Sequence, residues 1–106
     1  MRMTNEDWPQ TGRGWTQDEA VAYEVACELL TGMVAWCSSD IAKEEQQTAP
    51  DVDHIHALEE EIGRYERERR QLDPADHDEV ARLTQMYGAK LRAHYAELRA
   101  TDEDPS

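Results

Sequence analysis

Positive charge is scarce in this sequence: 11 Lys and Arg stand against 24 Asp and Glu, a net charge of −13 over 106 residues. Nucleic-acid backbones and anionic membrane surfaces both attract cations, so neither is expected as a direct partner. Long apolar runs are lacking too, and no bilayer-spanning segment is expected. The stretch Met1 to Gln10 carries Glu6 and Asp7 without an apolar run, which does not match a secretory signal. Phenylalanine is absent and hydrophobic residues make up 39%. A chain of this length buries one small core, not a two-domain cleft.

Nucleophile chemistry is equally thin. The only serines are Ser38, Ser39 and Ser106, and no glycine-rich elbow or phosphate loop surrounds them. Gly12-Arg13-Gly14 is too short for such a loop and follows no strand. The two cysteines, Cys27 and Cys37, fall in one helical segment. At about 1.5 Å rise per residue they sit roughly 15 Å apart, beyond the reach of an intrachain disulfide. They read as small buried hydrophobes in a reducing, cytoplasmic setting; an intermolecular bridge or redox sensor would need positive charge nearby, and Lys43 is the only base in that helix.

What the sequence does contain is helical period. Residues 1–15 hold turn formers (Trp8-Pro9, Gly12, Gly14) and form an N-terminal arm whose charges cancel, Arg2 and Arg13 against Glu6 and Asp7. Thr16-Gln17-Asp18-Glu19 matches a capping box, with Trp15 and Ala20 at the staple positions. From Ala20 to about Gln47 the apolar residues Ala22, Val25, Ala26, Leu29, Leu30, Met33, Val34, Trp36, Cys37 and Ile41 cover close to half the circumference of one long helix. Gly32 inside it marks a bend or a close helix crossing. Pro50 disfavours helix at Ala49 and ends the linker.

A second helix opens near Asp51 or Asp53 and shows a narrow heptad seam of Ile55, Leu58, Ile62, Tyr65, Arg69 and Leu72. Asp73-Pro74 suits the N-terminus of a third helix, with Val80, Leu83, Tyr87, Leu91, His94 and Leu98 on one face and Gly88 among them. The expected fold is all-α: a three-helix bundle in which helices two and three form an antiparallel coiled-coil-like hairpin packed on a long first helix. The helical domain spans 16–100, and 101–106 reads as a disordered acidic tail.

Candidate sites follow from this frame. Asp53, His56 and Glu60 share a helix face, and hairpin counting brings His94 opposite residues 52 to 56, so a metal site of Asp53, His56 and His94 is conceivable. Protonation of His94 in the seam would then loosen the bundle below about pH 6.5. The paired metal motifs of acidic helical enzymes are missing: no Glu precedes a His by three, and Glu59-Glu60-Glu61 is followed by Gly63 and Arg64 at the required places. No catalytic residue, metal or cofactor is therefore assigned.

The first helix has more apolar surface than two neighbours are expected to hide. Self-association is the leading expectation, with Trp8, Trp15, Leu30, Val34, Trp36 and Ile41 as interface candidates. The arm tryptophans either fold back over the end of the bundle or clip onto a second protomer or another partner. The sequence thus reads as a small acidic helical protein–protein interaction module, homodimeric and non-catalytic. Residues 17–50, with seven acids against Lys43, suggest two alternatives: an acidic inhibitor, antitoxin-like or anti-sigma-like, on a basic DNA-binding surface, or a metal-binding bundle.

Overall fold

The computed structural model describes residues 16–103, and among them three helices follow one another: α1 Gln17–Glu45, α2 Val52–Gln71 and α3 His77–Glu103. Trp8, Trp15 and the last three residues lie outside the described residues. The capping box that starts α1 is present in both directions. Thr16 Oγ1 accepts from the Glu19 amide at 3.0 Å, and Glu19 Oε1 accepts from the Thr16 amide at 2.9 Å. Two of the four orphan N–H groups at that end are thereby satisfied. At the opposite end the Asp51 amide donates to Glu44 Oε2 at 2.9 Å, tying the linker back to α1. Asp51 also caps α2, accepting from the His54 amide at 3.1 Å.

The third helix begins later than its sequence signals imply. Asp73 accepts from the Ala75 amide at 2.9 Å and folds 73–76 into a turn, with Pro74 buried inside it. Asp76 takes over as cap, accepting from the Glu79 amide at 3.2 Å. Two aspartates three residues apart offer the same chemistry, and the proline between them belongs to the turn. The far boundary also moves: α3 continues through Glu103, so Thr101 is helical rather than part of a tail, its hydroxyl donating to the Glu97 carbonyl at 3.0 Å.

The fold is an all-α three-helix bundle with α1 at its centre, packed on both α2 and α3. Contact pairs fix the directions. Glu61 meets Cys37 and Arg69 meets Thr31, so α2 runs antiparallel to α1. His77 meets Glu19, Leu91 meets Gly32 and His94 meets Trp36, so α3 runs parallel to α1. Consecutive helices α2 and α3 are antiparallel, yet their apolar stripes converge on α1 more than on each other. They touch where the rings of Tyr65 and Tyr87 meet edge to face at 5.4 Å.

The core takes one heptad-like row from each helix: Ala26, Leu30, Met33 and Cys37 from α1; Leu58, Tyr65 and Leu72 from α2; Val80, Leu83, Tyr87 and Leu91 from α3. Arg69, the polar member of the α2 seam, is exposed and reaches the Thr31 hydroxyl at 3.4 Å. Gly32 leaves α1 one continuous helix and serves close packing. A Cβ there would stand 2.9 Å from Leu91 Cδ1, so the missing side chain is what lets Leu91 rest on the α1 backbone.

One expectation about α1 needs correction. It contains an 18-residue window of mean hydropathy 1.3 and is, by length and composition, long enough to cross a membrane. Its middle, from Val25 to Ala42, holds only two acids, Glu28 and Asp40. In the fold, α2 and α3 cover the centre of that arc.

Candidate functional site

The most conspicuous surface feature is an apolar furrow along the seam between α1 and α3. Ala22, Val25, Leu29 and Gly32 repeat at helical spacing on α1. On α3 the matching stripe is Ala81, Thr84, Gly88 and Tyr95, with Leu91 beneath. Small residues recur in both stripes, Ala22 and Gly32 on α1 and Ala81 and Gly88 on α3, and a trough runs between the helices instead of a ridge of side chains.

The furrow widens into two cavities that share Val25. One, about 620 Å³, lies between the first turns of the two helices and is floored by Ala22, Val25, Val80 and Ala81. The other, about 290 Å³, continues past Gly32 and Gly88 to Tyr95. Val25 is 41% exposed, Tyr95 47% and Leu98, one turn further along α3, 41%. Val21, beside Val25, is exposed as well. These are large apolar groups facing water in a chain of mean hydropathy −0.91.

One contact between an imidazole and a carboxylate stands at the wider end. The exposed His77 Nε2 meets Glu19 Oε2, joining the first turns of α1 and α3. Glu19 is held below the usual carboxylate range, first by the Thr16 amide in the capping box and then by its bond to His77.

The opposite flank of α1, against α2, holds smaller cavities, about 220 Å³ beside Trp36, Cys37 and Tyr65 and about 60 Å³ beside Thr31 and Arg69. Cys37 Sγ donates to Glu61 Oε1 at 3.3 Å, and the Tyr65 hydroxyl donates to the same oxygen at 3.4 Å. Burial, then the Glu61 carboxylate, pushes the Cys37 thiol up to about 12, so this cysteine is no nucleophile at neutral pH. Tyr87, similarly buried, donates to Glu68 Oε1 at 2.8 Å and is also pushed up to about 12. Arg64 lies 4.8 Å from the centre of the Tyr65 ring and caps this cluster from outside.

The residues expected at an interface are placed as follows. Leu30 is 1% exposed and belongs to the core, which corrects its assignment as a surface contact. Val34, Trp36 and Ile41 are half-buried and packed on that core. Trp8 and Trp15 lie outside the described residues.

The conceivable metal trio is not assembled. His94 packs against α1, its ring stacked on Trp36 at 3.8 Å between centroids and 15° between planes, while Asp53 and His56 sit exposed on α2. Hairpin counting fails here because α3 lies along α1, not along α2, at that end of the bundle. Among the described residues no group of three His, Cys, Asp or Glu could hold a metal ion. His94 thus lies against Trp36 and not in a seam between α2 and α3.

Sequence reasoning missed the furrow, although Val25 was in the apolar arc. The overlooked signal was the run of small residues at helical spacing on both α1 and α3, with Val21 just outside the counted arc. No family model, curated protein or solved structure matches the chain.

Proposed function

We propose that this chain is a small acidic helical association module that works by protein–protein contact, without catalysis, and that it pairs with a second copy of itself. The observation carrying this reading is the distal half of the furrow, where Leu29, Gly32, Gly88 and Leu91 form a trough bordered by exposed Tyr95 and Leu98. A trough beside projecting apolar side chains is self-complementary about a twofold axis: Tyr95 and Leu98 of one copy enter the trough of the other. The free cysteines, one buried and one half-buried, accord with a reducing, cytoplasmic setting.

The alternative of an acidic inhibitor seated on a basic surface draws on the net charge of −13. It is the weaker reading. The exposed face of α2 interleaves Arg64, Arg67 and Arg70 with its glutamates, so it presents mixed charge instead of a phosphate-like run.

Light scattering behind size exclusion tests the pairing. The expected result is a dimer mass for the wild-type chain and a monomer mass for Tyr95→Glu and Leu98→Glu, both at exposed positions that leave the core intact. A wild-type mass that stays monomeric across concentrations overturns the proposal.

A further inference from the structure

The wider cavity of the furrow opens where the described chain begins. Thr16 is both the N-cap of α1 and part of the cavity wall. The volume, about 620 Å³, falls in the range of pockets that take small molecules. Its lining is chiefly apolar, Ala22, Val25, Pro74, Val80 and Ala81; among its polar members Glu19 and His77 already satisfy each other, and Thr16, Asp18, Thr84 and Gln85 come from the faces of two exposed helices. A cavity of this kind suits an apolar side chain delivered by a tether.

The chain carries such a tether. Fifteen residues precede Thr16 and include Met1, Met3, Trp8, Pro9 and Trp15. Their charges cancel, whereas all of the −13 lies in the rest of the chain. A neutral segment approaches an acidic bundle without repulsion, and Arg13 can be drawn toward Asp18 beside the cavity.

We propose that the N-terminal arm folds back into this cavity and that Trp8 occupies the space between Ala22 and Val25 of α1 and Ala81 and Thr84 of α3. The reach is sufficient. From Thr16 to Val25 the cavity wall extends about 14 Å along the helix at roughly 1.5 Å per residue. The segment from Trp8 to Thr16 spans up to about 26 Å at roughly 3.3 Å per residue, with Gly12 and Gly14 available for the reversal. An indole buries roughly 150–250 Å² on such a surface. A short flexible tether supplies a local concentration on the order of millimolar, which favours the arm of the same chain over that of another. The arm and the Tyr95 face use different halves of the furrow, so this proposal does not depend on the dimer.

The test isolates one tryptophan. In the Trp15→Phe, Trp36→Phe variant, Trp8 is the sole indole, and the Tyr95→Glu background keeps any dimer out of the measurement. The expected result is blue-shifted emission and acrylamide quenching severalfold weaker than for the same protein in urea. Ala81→Glu and Ala22→Glu, both at exposed positions on facing walls, are expected to restore quenching toward the unfolded value with helix content unchanged. A Trp8 as accessible in the native protein as in urea overturns the proposal. So does shielding that appears only at concentrations giving a dimer mass, because the occupant is then a second copy.

Discussion

The two flanks of α1 are built from the same helix and are filled to different degrees. On the flank facing α2, large side chains fill more of the groove, leaving about 220 Å³ beside Trp36 and Tyr65, and Cys37 and Tyr65 share the Glu61 carboxylate. On the flank facing α3, Ala22, Gly32, Ala81 and Gly88 bring the helices together and leave an open trough. Apolar content alone does not distinguish these flanks. Side-chain size does: bulk narrows a groove between two helices, whereas small residues leave more of the adjoining surface uncovered.

The largest effect that can break this comparison is a cavity in the core. Leu30 is 1% exposed, and Leu30→Ala is expected to cost about 3 kcal/mol in urea unfolding. Val25→Ala, at a furrow residue 41% exposed, is expected to cost under about 1 kcal/mol. Equal losses at the two sites would mean that the furrow is as tightly covered as the core.

The glycines sharpen the same contrast. Gly32→Ala puts a methyl group 2.9 Å from Leu91 Cδ1, and the strain outweighs the gain in helix propensity. A net loss of about 1 kcal/mol is expected. Gly63→Ala meets only the tip of Arg67, at 3.4 Å, and is expected to stabilise by about 0.5 kcal/mol. Thermal midpoints moving in opposite directions would confirm that Gly32 is kept for packing; a shared rise would remove the close-approach reading.

These particulars show what the sequence made legible. Thr16 and Glu19 announced the start of α1, the row from Ile55 to Leu72 announced a seam, and Gly32 announced a close approach. Each of these signals is carried by a short stretch of sequence, whatever it later packs against. What stayed hidden depended on which helices pair. His56 and His94 were set opposite each other by counting around a turn, and the count is void because α3 follows α1. Leu30 was taken for an interface residue because an apolar arc does not reveal which of its edges the neighbours cover. The edge left uncovered is the one holding Val21 and Val25.

Alkaline titration probes the fuller flank more gently. Cys37 rises from its ordinary value of 9.0 to about 12 and Tyr87 from 10.0 to about 12, in both cases first through burial. For an acid whose folded pKa is raised, the unfolded chain releases its proton first. The associated stability is therefore intact below about pH 9 and is lost as pH climbs toward 12. Urea midpoints across that range are expected to fall, and Cys37→Ala together with Tyr87→Phe is expected to flatten the slope. An unchanged slope would show that these groups are not buried.

The smallest effect belongs to the furrow's rim. Glu19 is depressed below its ordinary value of 4.5 by the Thr16 amide and by His77. For a carboxylate lowered by folding, the unfolded chain binds the proton more readily. Its contribution is present above about pH 4.5 and disappears as pH drops through the folded value. Glu19→Gln keeps an oxygen that can accept from the Thr16 amide but removes the charge that His77 meets. The variant is expected to be slightly less stable than wild type at pH 6 and to converge with it in acid. His77→Ala spares the capping box, so it is expected to recover only the second, smaller share of the loss. If His77→Ala instead matches Glu19→Gln across the whole acid range, the imidazole–carboxylate contact outweighs the cap, and the rim is held by the contact between helices.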